Sequence, residues 1–370
     1  MGGMPKTVEL FRQALDASVV SFTDGDLLDR EGSAVVGAEH VRMDAGLRGR
    51  LYSWAPALAR ARADSLLREA DLVSCHSLFR YHVHWVRNWV RRKHIPYWVV
   101  PHGCLDPYVF SYRAWQKKPW MRWMGIPFLR EASAVIFSTR REMEKAAPFL
   151  SRDNGRVIPW PVTNASLPEP ERLAARAEWR KELRVGPRQR LLVFLGRLHS
   201  MKRPLETIRS FLKAAPARTS LVLAGPDGDL AREELMVLSS GHANIHVIGP
   251  VWGARKESLL AAADGFLSLS RRENFGHSAA EAMKVGLPVI LSPGNDLAWE
   301  IKSLDCGWML ADDDEATAVA AIQAFDHTED ASLTAMGNAG KAWAESHLTF
   351  EKFVAALHDL RAESLSRPRP

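Results

Sequence analysis

The stretch Leu191-Leu192-Val193-Phe194-Leu195-Gly196-Arg197-Leu198-His199-Ser200-Met201-Lys202-Arg203-Pro204 decides the fold. Its first five residues are an unbroken apolar run, the pattern of a parallel strand buried on both faces. The run stops at Gly196, a lysine follows Arg197 five positions on, and Pro204 suits the first turn of a helix. A strand that runs through a short loop into a helix is half of a βαβ unit. The same rhythm recurs on both sides of it. Strands are expected at 17–23, 71–76, 97–101, 134–139 and 156–160, then at 190–195, 220–224, 244–248, 265–269, 288–291 and 307–310. This predicts an α/β protein with two Rossmann-like, doubly wound sheets.

The rhythm breaks once. Pro159, Pro161, Pro168 and Pro170 crowd a stretch that leads to a charged helix expected at 171–183. So many prolines suit neither helix nor central strand, so the segment reads as an interdomain linker. The domains are expected at 1–165 and 166–345. A C-terminal segment, 346–370, holds an amphipathic helix at 350–365, with Phe353, Leu357 and Leu360 on one face, and is expected to pack back toward the N-terminal domain.

Composition bounds the alternatives. At 370 residues, 46% hydrophobic and 25% charged, the chain is neither disordered nor collagen-like. Its three cysteines, Cys75, Cys104 and Cys306, are odd in number and far apart, which excludes a disulfide scaffold and points to a reducing compartment. Neither a membrane-length apolar run nor a signal-peptide core is seen, so a cytoplasmic protein is expected. The net charge of +6 is uneven. Residues 1–160 hold 24 Lys/Arg against 16 Asp/Glu, and residues 161–370 hold 25 against 27. Six of the 13 tryptophans fall between Trp85 and Trp123 in the basic half. Such a surface suits anionic lipid, nucleic acid or a phosphorylated ligand.

In open α/β sheets, ligands bind where strands end. After the strand at 190–195, Arg197 and Lys202 stand beside a helix start, whose free N–H groups and dipole favour a diphosphate. Solvated surface cations are the plain alternative. After the strand at 265–269 comes Glu273-Asn274-Phe275-Gly276-His277-Ser278-Ala279-Ala280-Glu281. Ser278 and Glu281 have capping-box spacing, which is one reading of Glu281; the other is that its carboxylate accepts bonds from both hydroxyls of a ribose. Gly276 would let the backbone approach a phosphate closely. In the first domain a strand ends in His102-Gly103-Cys104-Leu105-Asp106-Pro107, with His102 at its carboxyl end.

Taken together these segments resemble the family-four, nucleotide-sugar-dependent, retaining glycosyltransferases of GT-B fold, over nearly the whole chain. Glu273 to Glu281 looks like the family's Glu-x7-Glu motif, and Gly196-Arg197 with Lys202 like its diphosphate pair. His102-Gly103 with Leu105-Asp106-Pro107 is similar to a stretch of a bacterial subgroup, and Gly2-Gly3 to a glycine pair after the first strand. The resemblance implies two domains facing a cleft. It gives Arg197 and Lys202 the donor diphosphate, with Gly2 and Gly3 lining the diphosphate or acceptor side, and Glu281 the ribose. Glu273 would hold the donor sugar, and Asn274, Phe275, Gly276 and His277 would approach sugar and diphosphate. Pro250 and Val251 would lie against the base, and His102 under the anomeric carbon. A hexose would pass from a UDP-sugar, or failing that GDP-mannose, to a glycan or lipid-linked acceptor, as in bacterial polysaccharide or lipopolysaccharide synthesis, with no metal and no cofactor. Two departures stand out. The strand that should precede the glycine pair is missing, so either the natural start lies upstream or the strand is absent. Arg203 stands where glycine is common.

Other features carry weaker readings. Asp24-Gly25-Asp26 and Asp227-Gly228-Asp229 have the Asp-x-Asp form that can hold a divalent cation, but read as turns. Asp312-Asp313-Asp314 reads as a solvated loop. His76, His82, His84 and His94 could bind a transition metal, or share a mixed surface. The basic aromatic stretches 80–93 and 115–123 read either as a peripheral contact with the anionic inner face of the plasma membrane or as core tryptophans backed by surface charge. A sugar-nucleotide epimerase, a phosphorylase and a non-catalytic nucleotide-sugar-binding scaffold are the competing functions. Nucleic acid is disfavoured as a partner because no recognition motif accompanies the charge.

Overall fold

A computed structural model describes residues 3–23, 39–42, 57–79, 81–111, 114–151, 153–164 and 166–366. The chain divides into two compact units, Met1–Pro161 with Phe350–Pro370, and Val162–Thr349.

In the first unit the helix Gly3–Leu15 leads into β1 (Val20–Thr23), which pairs in parallel with β2 (Glu39–Arg42). A second parallel sheet has the order β3-β4-β5-β6, from Val73–His76, Tyr97–Val100, Ala134–Phe137 and Gly155–Val157. β4 and β5 are buried at every position, as the apolar runs predict. The helix Tyr81–Lys93 turns Val83, Trp85, Val86, Trp89 and Val90 inward, a helical spacing that fills the core. The C-terminal helix Phe350–Ser366 belongs to this unit. Its buried Phe353 meets Phe11 edge-on at 5.2 Å, and Ser364 Oγ accepts from Trp98 Nε1 at 2.9 Å.

The second unit is one six-stranded parallel sheet in the order β12-β11-β10-β7-β8-β9. Its strands are β7 (Arg190–Leu195), β8 (Thr219–Ala224), β9 (Ile245–Ile248), β10 (Gly265–Ser268), β11 (Val289–Leu291) and β12 (Gly307–Met309). The chain winds outward from β7 through β8 to β9, then restarts beside β7 at β10 and winds the other way. The switch point therefore lies between β7 and β10, where open α/β sheets place ligands.

Three expectations need correction. β2 was not foreseen, because Glu39-His40-Val41-Arg42 has no apolar run to announce it. Pro170 is not linker: the helix Glu169–Glu182 takes it into its first turn, where a missing N–H costs nothing. Asp312-Asp313-Asp314 is not merely solvated, since Asp313 pairs with Arg203 and Asp314 Oδ1 caps the next helix by accepting from Thr317 N at 2.8 Å. Asp24-Gly25-Asp26 lies outside the described residues.

Candidate active site

Two loops meet at the switch point of the second unit. The first leaves β7 at Gly196, whose N–H donates to Ala224 O (3.0 Å). Gly225 admits this crossing: a Cβ there would stand 1.8 Å from Gly196 O. Asp227-Gly228-Asp229 is the turn that clamps the loop from below. Leu198 N donates to Pro226 O, and Asp229 accepts from Ser200 N at 2.7 Å. The loop tightens into a 3-10 turn, Ser200–Lys202, before Pro204 opens the helix Pro204–Ala214. This folds Lys202 back over Gly196, so that a Cβ on Gly196 would lie 3.9 Å from Lys202 Cδ.

The second loop follows β10. Arg271 N donates to Met201 O at 2.8 Å and ties it to the first. Glu273 is fixed by its backbone, donating to Gly294 O and accepting from Asp296 N, both at 2.8 Å. Its carboxylate pairs with Lys202 Nζ. That pairing favours the charged amine, whereas burial and, next, the Arg197 charge push the Lys202 ammonium down to about 8. Arg197 itself is exposed.

The helix His277–Lys284 starts from Gly276, which adopts φ +77°. A side chain there is excluded twice, by the left-handed backbone and by the Asn295 amide 2.8 Å from where its Cβ would be. The capping-box reading of Ser278 and Glu281 fails: Gly276 is the N-cap, Ser278 is already inside the helix, and no side chain caps the start. Glu281 instead sits deeper, 4% exposed, with its carboxylate 2.9 Å from Lys256 Nζ. Phe275 is buried and meets the His277 ring edge-on at 5.0 Å. Pro250, exposed, and Val251, buried, lie just before the helix Gly253–Ala262 that carries Lys256. Arg197, Lys202, Glu273, Asn274, Phe275, Gly276, His277 and Glu281 thus lie on the two loops and the helix they feed, with Pro250 and Val251 reached through Lys256.

Sequence reading missed Lys256 and Asn295. Asn295 is 1% exposed; its Oδ1 accepts from Leu297 N, while its Nδ2 is buried without a partner among the described residues. Asn295 is a local N-cap for Leu297, but its approach to Gly276, like the contact of Lys256 with Glu281, is made across the fold, where no spacing rule reaches.

His102 lies in the first unit, at the end of β4, with φ +52°. Ser77 and Phe79, after the neighbouring β3, also have positive φ, so uncommon backbone gathers at these two strand ends. His102 Nε2 is 2.9 Å from His76 Nδ1, and burial pushes the His102 ring down to about 4. His76 is pushed well below its ordinary value by burial, then by His102 and His82. The two rings are therefore neutral at pH 7 and share one hydrogen. The buried Glu142 carboxylate fixes the loop, accepting from Gly103 N at 2.7 Å and from Ser138 N and Oγ. His82 bonds the His76 carbonyl and His84 bonds Asn88, and among the described residues no three His, Cys, Asp or Glu gather to hold a metal ion. Gly3 opens a helix, and Gly2 lies outside the described residues.

Comparison with known proteins matches this layout. The family described as Glycosyl transferase 4-like domain matches residues 2–163, and the family Glycosyl transferases group 1 matches residues 175–343. Each unit thus matches a glycosyltransferase family model, the two together cover most of the chain, and the fold is of GT-B type. Among curated relatives, the D-inositol 3-phosphate glycosyltransferase of Nocardia farcinica is 27% identical over 63% of this chain and 56% of its own length. That of Xylanimonas cellulosilytica is 25% identical over 64% and 58%. The chain thus spans somewhat over half the length of these relatives. Among solved structures, Anabaena HepE in complex with UDP and glucose superposes with a TM-score of 0.78 at 17% identity, covering 98% of this chain and 96% of that one. Sucrose-phosphate synthase of Thermosynechococcus elongatus gives 0.73 at 18% identity, covering 98% and 93%.

Proposed function

We propose that the chain is a retaining glycosyltransferase that moves a hexose from a nucleoside diphosphate sugar, UDP-linked before GDP-linked, to a glycan or lipid-linked acceptor. The observation that carries this reading is the joined pair of loops at the β7–β10 switch point. There Arg197, Lys202 and the helix start at Gly276 supply positive potential beside the Glu273 and Glu281 carboxylates. Cations and free N–H groups at one such point suit a diphosphate whose charge grows as the sugar leaves. Glu281 accepts from the ribose hydroxyls, and Glu273 leaves Lys202 to accept from the sugar. Anabaena HepE, solved with UDP-glucose, favours the uridine donor.

His102 contributes without charge in this reading. A neutral ring hydrogen-bonded to His76 cannot act as a cation, which leaves the backbone carbonyl as the group of His102 that this reading uses. The departing phosphate takes the acceptor's proton on the face it leaves, so no enzyme nucleophile and no metal is used.

A thermal-shift panel with UDP, GDP, ADP, CMP and dTDP, each with and without Mg²⁺, tests this. A ligand at about a hundred times its Kd adds roughly 2.7 kcal/mol, a clear shift. UDP alone should shift the transition, equally with and without Mg²⁺, and Arg197→Ala should remove most of the shift. A shift with none of the five would defeat the donor-site reading, and dependence on Mg²⁺ would defeat the metal-free one.

A further inference from the structure

Among the described residues, no helix is long and apolar enough to cross a membrane. Yet one segment of the first unit exposes what an interfacial contact needs. A helical run continues through Ala114–Trp120, a π turn at Met121–Gly125, and Ile126–Glu131. Its inner side is anchored by Met121, Phe128 and Leu129, all buried. On its outer side Trp115 and Trp123 are each 75% exposed. They stand eight positions apart, which in a plain α-helix overshoots two turns by nearly a residue. The wider π turn between them takes up that excess and brings the two indoles toward one face.

The surrounding sequence is strongly basic. Between positions 81 and 131 the chain carries nine Lys/Arg and two Asp/Glu. Both acids are paired, Glu131 with Arg87 at 2.5 Å and Asp106 with Lys145 at 2.8 Å. Lys118, Arg122 and Arg130 are exposed on the run itself, and Arg91, Arg92 and Lys93 on the end of the helix that Arg87 ties to it. The tryptophans of that helix, Trp85 and Trp89, are core residues, so of these two elements it is the 114–131 run that exposes indoles. Exposed indoles beside exposed cations match a surface that is apolar just below a layer of anions.

We propose that the 114–131 run is the docking surface of this chain for an anionic lipid bilayer, with Trp115 and Trp123 entering the headgroup region and Lys118 and Arg122 facing lipid phosphates. The proposal goes beyond the transfer reaction and does not depend on it.

The test is co-sedimentation of the full chain with phosphatidylcholine vesicles and with mixed phosphatidylcholine–phosphatidylglycerol vesicles, together with tryptophan emission. The mixed vesicles should bind the chain and shift its emission to the blue, pure phosphatidylcholine should not, and high salt should weaken binding. Trp115→Ala/Trp123→Ala and Lys118→Glu/Arg122→Glu should each lower affinity by about tenfold or more. Unchanged binding in both variants, or no binding of the original chain to anionic vesicles at low salt, overturns the proposal. So does self-association of the free chain that vanishes with the two tryptophans, which would make the face a contact between copies. The thermal shift with UDP, measured on the same variants, reports on fold and donor site. Its loss in the original chain would count against the transfer reading and leave this one standing.

Discussion

Glu281 shows how a single contact changes what a substitution reports. Its carboxylate is buried against Lys256, so Glu281→Ala would remove a hydrogen-bond acceptor and also strand a cation in the second unit. Glu281→Gln is the cleaner change, because it keeps volume and polarity while discharging the group. Bonds to a charged acceptor contribute about 1.5–3 kcal/mol, so UDP affinity should fall roughly 10- to 100-fold by calorimetry. Affinity equal to the original chain's would take the ribose away from Glu281. Arg203 answers a different question. It adopts φ 56°, ψ 48°, the left-handed region that costs an ordinary side chain about 1–2 kcal/mol and glycine almost nothing. Its ion pair with Asp313 is the compensation. Arg203→Gly and Arg203→Ala both lose that pair, but only alanine keeps the strain. Glycine should therefore be more stable than alanine by about 1 kcal/mol in denaturant unfolding. Equal stability would show that the turn relaxes. The common glycine at this position thus has a backbone reason, which the order of residues alone does not display.

At the scale of elements, the legible part of the fold was whatever is written locally. β7 reads as an apolar run ended by Gly196, and the helix Pro204–Ala214 as a proline placed to open its first turn. At the helix His277–Lys284, Ser278 and Glu281 satisfy a local spacing rule that made a capping box one of two readings, while the helix starts from Gly276, held in a left-handed conformation with Asn295 against it. Lys256 and the His76–His102 pair were hidden for the same reason: each is made by two elements distant in sequence. The turn Ser200–Lys202 adds a consequence that only the folded element has. Lys202, held down to about 8, loses its proton as pH rises through that value, whereas a free lysine stays charged to about 10.4. A phosphate monoester completes its ionisation near pH 6, so the charge of the diphosphate itself is constant above pH 8. UDP affinity should then fall by up to about tenfold per pH unit above pH 8. Lys202→Arg, which stays charged, should flatten that slope. A slope that survives this substitution would assign it to some other group.

The largest scale is set by the path of the chain, which crosses from the first unit at Pro161 and returns to it at Phe350. The returning helix Phe350–Ser366 is built into the first unit. Phe353 packs against Phe11 and Trp160, His358 bonds the Ala14 carbonyl, and Glu363 pairs with Arg156 at 2.7 Å. Phe353 is 2% exposed, so Phe353→Ala should cost roughly 3–5 kcal/mol of lost burial and cavity. The second unit has a core of its own, assembled around Phe194, Phe211, Ile290 and Phe325. The loss should therefore be local. Hydrogen exchange should accelerate in β3 to β6 and stay as it was in β7 to β12, and the UDP-induced shift should persist while transfer activity falls. Faster exchange in both sheets together would mean that the two units unfold as one cooperative body, and that the end of the chain stabilises the donor site as well as the unit it packs on.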